Sequence, residues 1–246
     1  MKKILFSIAA LLLFAVGCKP NDTNEIDVET YTLNDSVYIQ NEYGEGYSYF
    51  NVNLDLPVTK NKTLSQNIIH WMLTDETEDH VAYYQLMKDS FFNEDGSEPR
   101  SVYEENYTLS EQTEKYVTYI NEGSIYTGGA HAMPWYNGTT FSKIDGSIVG
   151  YDLFNDPEQL IPLIAENIKH QYFAKYEEED LMLGYDEINI LPDNEPWIET
   201  DGVVFCYQPN EIAPYAAGMP LCKIALTDLE PYLSEKGKSF LNNPLP

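Results

Sequence analysis

From Phe50 to Pro57 the chain alternates strictly: Phe50, Val52, Leu54 and Leu56 are apolar, and Asn51, Asn53 and Asp55 between them are polar. A period of two sends every second side chain to one face, so this stretch predicts a half-buried strand that Pro57 stops. Shorter strand candidates precede it near Tyr31 and at residues 37–39. The period then lengthens. Leu64, Ile68, Ile69, Met72 and Leu73 recur at three- and four-residue spacing, which predicts a helix capped by Thr63. A second helix is expected with Tyr83, Leu86, Met87 and Phe91 on one face, ending in the turn Asn93-Glu94-Asp95-Gly96.

Beyond residue 100 the pattern returns to strands, at 102–109, 116–120 and 124–127, and at 141–144 and 148–153 on either side of the hairpin signal Asp145-Gly146. Asn155-Asp156-Pro157-Glu158 then opens a helix whose apolar stripe is Leu160, Ile161, Ile164, Ile168, Tyr172 and Tyr176, and the acidic run 177–180 reads as its solvated end. Strands at 188–191, 203–207 and 221–226 follow, with a short helix near 229–233. Helices and strands come in separate runs. That order predicts an α+β fold, antiparallel sheets with helices packed on one face, in two linked parts. The expected parts are residues 30–115 and 116–236, with a tail at 237–246.

The start of the chain follows a different rule. Met1-Lys2-Lys3 precedes an apolar run from Ile4 to Val16, and Ala15-Val16-Gly17-Cys18 closes it before the polar stretch Lys19-Pro20-Asn21-Asp22. The run is shorter than the ~20 residues a membrane-spanning helix needs, and small residues before a cysteine resemble a lipobox. Residues 1–17 are therefore expected to be a signal peptide. Cys18 is expected to carry the lipid that anchors the mature chain in the cell envelope, and residues 18–29 read as its tether.

Charge narrows the partners. The chain carries 40 acidic and 14 basic residues, a formal net charge of −26, and loss of Lys2 and Lys3 with the leader makes it −28. A phosphate backbone demands a basic footprint, so nucleic acid is excluded as an expected partner, whereas cationic partners are attracted. The same acidity also serves plain solubility. Only Cys206 and Cys222 remain after the lipid site. In an oxidising compartment a disulfide across their hairpin is expected, with two buried free thiols as the alternative.

Little of the sequence carries chemistry. None of His70, His80, His131 and His170 stands in a zinc motif, and no phosphate loop, Gly-x-Ser-x-Gly or Ser-x-x-Lys nucleophile is present. No cofactor or metal is expected. Asn93-x-Asp95-Gly96 fails as a calcium loop because Phe91 and Val102 would fill its first and twelfth ligand positions. Two constellations remain. Tyr126-Thr127-Gly128-Gly129-Ala130-His131 runs a strand into two glycines, whose tolerance of positive φ predicts a tight turn. There His131 either packs locally or stands at a pocket mouth. Glu211-Ile212-Ala213-Pro214-Tyr215-Ala216-Ala217-Gly218 is a turn-rich link between strands, in which Gly218 and the alanines point to close packing and Tyr215 to an anchor.

These two stretches, in this order, resemble the paired domains of unknown function in the outer half of RsiV-type anti-sigma factors and beside the catalytic domain of PdaC-type peptidoglycan deacetylases. The most specific part is Tyr126-Thr-Gly-Gly-Ala-His131, joined by Asp145-Gly146, Asp152-Leu153-Phe154, Asp201-Gly202-Val203-Val204-Phe205 and the segment from Glu211 to Gly218. Ala132 and Asn210 depart from the pattern, the latter standing where tyrosine is usual. The resemblance implies an α+β fold and, through the RsiV-type proteins, a lysozyme-like cationic partner. The sigma-binding segment and the deacetylase domain are not seen in this sequence. The expectation is thus a non-enzymatic, lipid-anchored binding protein, and the alternative is a hydrolase or accessory factor acting on a glycan or on peptidoglycan of the cell wall.

Overall fold

The computed structural model describes residues 25–73, 77, 79–93, 98–175 and 188–241. The expected signal peptide, Cys18, the tether up to residue 24, the turn after Asn93, Tyr176, the acidic run 177–180 and residues 242–246 lie outside the described residues. The chain is α+β and divides into two compact units, the first comprising Met1–Leu109 and Ile120–Trp135, the second Ser110–Tyr119 and Tyr136–Pro246. The division differs from the expected break at 115/116. The reason is that β3 (Val102–Gln112), β4 (Tyr116–Tyr126) and β5 (Met133–Ser142) each contribute residues to both units. One sheet has the order β1-β2-β3-β4-β5-β6, and a second has β7-β8-β9.

In the first unit, β1 (Asp27–Asn41) and β2 (Gly44–Val58) form an antiparallel hairpin in unbroken register from Asp27↔Val58 to Asn41↔Gly44. The separate candidates near Tyr31 and at 37–39 are therefore one strand. β2 pairs parallel with β3, from Tyr49↔Val102 to Leu54↔Tyr107, which corrects the expectation of purely antiparallel sheets. Parallel neighbours need a crossover, and α1 (Lys62–Leu73) and α2 (His80–Asn93) supply it. Both helices pack on β2. The alternation predicted for β2 holds: Phe50, Val52 and Leu54 are fully buried with Leu64, Ile68, Met72 and Leu73 of α1.

Two local assignments change in these helices. α1 is capped by Asn61, whose Oδ1 accepts the Leu64 N–H at 3.2 Å, because Thr63 already lies inside the helix. α2 starts on Asp79, whose Oδ1 accepts the Ala82 N–H at 2.9 Å, and it buries Tyr84 and Phe91. Seven residues apart, those two share a face, and the expected Leu86 points to solvent.

In the second unit, β7 (Trp197–Glu199), β8 (Gly202–Cys206) and β9 (Leu221–Ala225) form an antiparallel sheet with α3 (Ile161–Gln171) against β9. Leu153, Leu160, Ile164, Ile168, Phe205, Ile224 and Leu229 belong to one apolar cluster. β5 pairs with β6 (Ile148–Val149) around Asp145-Gly146, with Gly146 at φ 77°, but β6 is short and residues 151–153 form a 3₁₀ turn instead of extending it. Residues 188–191 are not a strand. The carbonyl of Ile190 accepts the Tyr207 hydroxyl at 2.7 Å, and the strand lies later, at β7. At the C-terminal side α4 (Leu226–Leu229) and α5 (Glu235–Leu241) flank a 3₁₀ turn, so the start of the expected tail is helical and buries Gly237 and Phe240.

Candidate functional site

The glycine-histidine segment lies in the first unit, outside the part to which the sequence assigned it. It leaves the end of β4 at Tyr126, whose hydroxyl donates to the Gly129 carbonyl at 3.1 Å. The pair predicted positive φ at one glycine or the other, and both adopt it, Gly128 at 104° and Gly129 at 93°. A Cβ on Gly128 would meet only a Glu98 carboxylate oxygen at 2.8 Å, the movable end of a flexible side chain, so the backbone angle is what calls for glycine here. His131 is exposed, with Nδ1 3.2 Å from the Ala132 carbonyl.

Glu211, Tyr215 and Gly218 lie in the second unit. The Glu211 carboxylate accepts the Asp193 N–H at 2.7 Å and also the N–H of Gln208. Gln208 in turn donates from Nε2 to the Tyr136 carbonyl at 2.8 Å. A carboxylate taking two backbone donors fixes the two loops it joins, and here it holds the chain on both sides of the positive-φ residue Asn210. Tyr215 opens a 3₁₀ turn that Gly218 closes at φ 78°, its N–H donating to the Tyr215 carbonyl at 2.9 Å. Tyr172 of the preceding helix end completes the arrangement by donating to the Ala217 carbonyl at 2.7 Å. The geometry of this motif is that of a clamp on loops.

Cys206 and Cys222 are free, which corrects the expected disulfide. Register gives the reason: Phe205 pairs with Cys222 and Cys206 with Leu221, so the cysteines sit one step apart on a pleated pair and project to opposite faces. Cys222 Sγ lies 3.9 Å from the Ile164 carbonyl of α3, whereas Cys206 Sγ lies 3.7 Å from the Tyr136 carbonyl. Burial pushes both thiols up to about 12.

The sequence reading passed over a buried acid in the first unit. Glu105 of β3 accepts hydrogen bonds from Tyr103 at 2.8 Å, Tyr84 of α2 at 3.1 Å and Asn121 of β4 at 3.2 Å. Burial raises its carboxyl above the usual range, and these donors, with Tyr107, offset part of that. Burial and the carboxylate together push the three tyrosine hydroxyls up as well. The spacing Tyr103-x-Glu105-x-Tyr107 was the available signal, since it sets all three on one strand face. His80 packs edge-on against Tyr31 at 4.9 Å, and burial lowers its pKa. An open groove of about 460 Å³ on α3 brings Glu166, Lys169 and His170 together. Among the described residues, no group of three or more His, Cys, Asp or Glu side chains is placed to hold a metal ion.

Residues 151–226 match the family model described as a protein of unknown function, DUF3298. The chain carries a DUF3298-type domain. The match falls entirely within the second unit and includes the Glu211 clamp. Two solved structures of this family are similar over nearly the whole chain. A DUF3298 family member from Bacteroides fragilis superposes with a TM-score of 0.67 at 17% identity, covering 87% of this chain and 97% of that one. A DUF3298 family protein from Pseudomonas aeruginosa gives 0.57 at 16% identity, covering 85% and 95%. At such identities the likeness establishes the α+β fold. No curated protein matches the chain.

Proposed function

We propose that this chain is a lipid-anchored binding protein of the cell envelope, without catalytic activity of its own, whose ligand is a cationic protein of lysozyme type. The observation that carries the reading is the charge, 40 acidic against 14 basic residues, which draws a basic partner and repels an anionic one. The residues that the sequence singled out support it, because Glu211, Gly218 and the glycine pair shape loops. The RsiV-type resemblance supplies the candidate ligand, and Cys18, directly after a leader that ends at Gly17, supplies the anchor.

Charge alone binds any basic protein weakly, so a specific site must discriminate between equally basic partners. The test is calorimetric titration of residues 19–246 at physiological salt with lysozyme and, as a basic control, cytochrome c. The expected result is saturable binding to lysozyme only. Equal binding to both, or to neither, removes the lysozyme-type ligand.

A further inference from the structure

The β1–β2 hairpin carries an aromatic patch that none of the motifs above includes. Tyr38, Tyr43, Tyr47 and Tyr49 keep 46, 71, 54 and 43% of their surface exposed. The pleat explains their direction. Tyr47 and Tyr49 alternate with the buried Ser48 and Phe50, so they leave the polar face of β2, and Tyr38 is paired across the hairpin with Tyr47. Tyr38 and Tyr47 meet edge-on with centroids 5.3 Å apart, and Tyr47 and Tyr49 lie 6.3 Å apart. The Tyr38 hydroxyl donates to Glu45 at 2.8 Å. These contacts hold the rings in place before any ligand arrives, which lowers the ordering cost of binding.

The hairpin's own charges have one sign, and the Arg100 side chain lies against Gly46, on the side of β2 that alternates away from Tyr47 and Tyr49. No lysine, arginine or histidine occurs in β1, β2, β3 or the Glu42-Tyr43 turn, and Glu42 and Glu45 flank the tyrosines. β1 is also the outermost strand in its sheet, and it carries neither the lysine nor the proline that commonly blunts an edge. A sugar chain stacks best on flat, coplanar rings, whereas the 67° between the Tyr38 and Tyr47 planes breaks such a platform. An ammonium or guanidinium group needs only one ring face with a carboxylate beside it, and that combination is present here.

We propose that the tyrosine face of the β1–β2 hairpin, with Glu42 and Glu45, is the docking surface for a basic polypeptide, whose lysine and arginine side chains lie on the Tyr38, Tyr47 and Tyr49 rings. The assignment rests on the reading of a cationic ligand given above and places that ligand on the molecule.

The test uses the mature chain carrying Cys18→Ser, with lysozyme as the probe at physiological salt. Tyr47→Ala/Tyr49→Ala is expected to weaken binding by about tenfold or more, as removal of aromatic anchors does. Glu42→Gln/Glu45→Gln is expected to weaken it more than the charge-matched pair Glu158→Gln/Glu166→Gln in the second unit. Nitration footprinting of the unsubstituted complex, with Tyr47 and Tyr49 protected, gives the same answer without a substitution. If the unsubstituted chain binds no basic protein, the cationic-ligand reading fails and this surface with it. If it binds and both hairpin variants bind within twofold of it, or Glu158→Gln/Glu166→Gln is as damaging as the hairpin pair, the ligand stands and the surface is wrong. Chitin oligosaccharide binding that depends on Tyr47 and Tyr49, with lysozyme binding intact in the same variant, also overturns the assignment in favour of a glycan.

Discussion

The two units solve the problem of a core in different ways. The second gathers apolar side chains from α3 and its strands in one cluster, with every residue of β8 from Gly202 to Cys206 buried. The first places a carboxylate among its apolar side chains, and Glu105 is surrounded by Tyr84, Tyr103, Tyr107 and Asn121. An apolar core gains stability with buried area and is nearly indifferent to pH. A core built on a hydrogen-bonded carboxyl gains fixed geometry but depends on every partner and on the protonation state. The contrast also follows the sequence. The family-model match covers the apolar unit's 151–226, while the exposed tyrosines stand in the unit with the polar core.

The largest effect is expected in the apolar cluster of the second unit. Phe205→Ala in β8 empties a site with no exposure, and removal of a buried phenylalanine costs about 3–5 kcal/mol. Chemical denaturation followed by circular dichroism should show that loss, unchanged between pH 5 and pH 8. A loss below about 1 kcal/mol would mean that the second unit is not held by this cluster.

Such a core is also what the sequence reveals best. The stripe Leu160, Ile164, Ile168 was read correctly because amphipathic period and burial coincide there, and β8 and β9 were legible as short apolar runs bounded by turn residues. β7 was missed because three residues after Glu195-Pro196 give no period to read. In α2 the pattern pointed to Leu86, yet Tyr84 is buried, since its hydroxyl finds Glu105, a partner 21 positions away in the chain that no local window contains. The parallel β2–β3 pairing was hidden for a similar reason: strand direction is set by the crossover through α1 and α2, and alternation is the same in either direction. Among the site residues, the positive φ of Gly128 and Gly129 was legible, whereas the role of Glu211 was not, because its backbone donors Asp193 and Gln208 carry no side-chain signature.

An intermediate effect is expected in the first unit, and it should depend on pH. Glu105→Ala removes the acceptor of the Tyr84, Tyr103 and Tyr107 hydroxyls and of the Asn121 amide, leaving buried donors unmet, and about 2–4 kcal/mol should be lost. Glu105→Gln keeps the size and one acceptor oxygen and should lose less. Burial raises the folded carboxyl above its unfolded value, so its contribution is greatest at low pH and declines as pH rises through the raised folded value. Glu105→Gln should therefore narrow its deficit, or become the more stable form, between pH 5 and pH 8. Parallel stability-pH curves for the two proteins would show that Glu105 does not titrate in this range, and the polar-core contrast would lose its pH signature.

The smallest effect sharpens the comparison by reporting on one unit alone. Cys206 and Cys222 both belong to the second unit, are buried, and project to opposite faces of β8 and β9, so no covalent link strengthens that core. A reductant should leave the melting temperature of the Cys18→Ser chain unchanged, where loss of a native disulfide typically removes about 2–5 kcal/mol. With burial holding both thiols near 12, neither forms much thiolate in the folded state, and alkylation must wait for the second unit to open. The labelling rate at neutral pH thus measures the opening of the apolar unit, and it should rise in Phe205→Ala while staying close to the unsubstituted rate in Glu105→Ala if the two cores open independently. Equal acceleration by both substitutions would show that they unfold as one cooperative body, and the difference between the cores would then be one of composition alone.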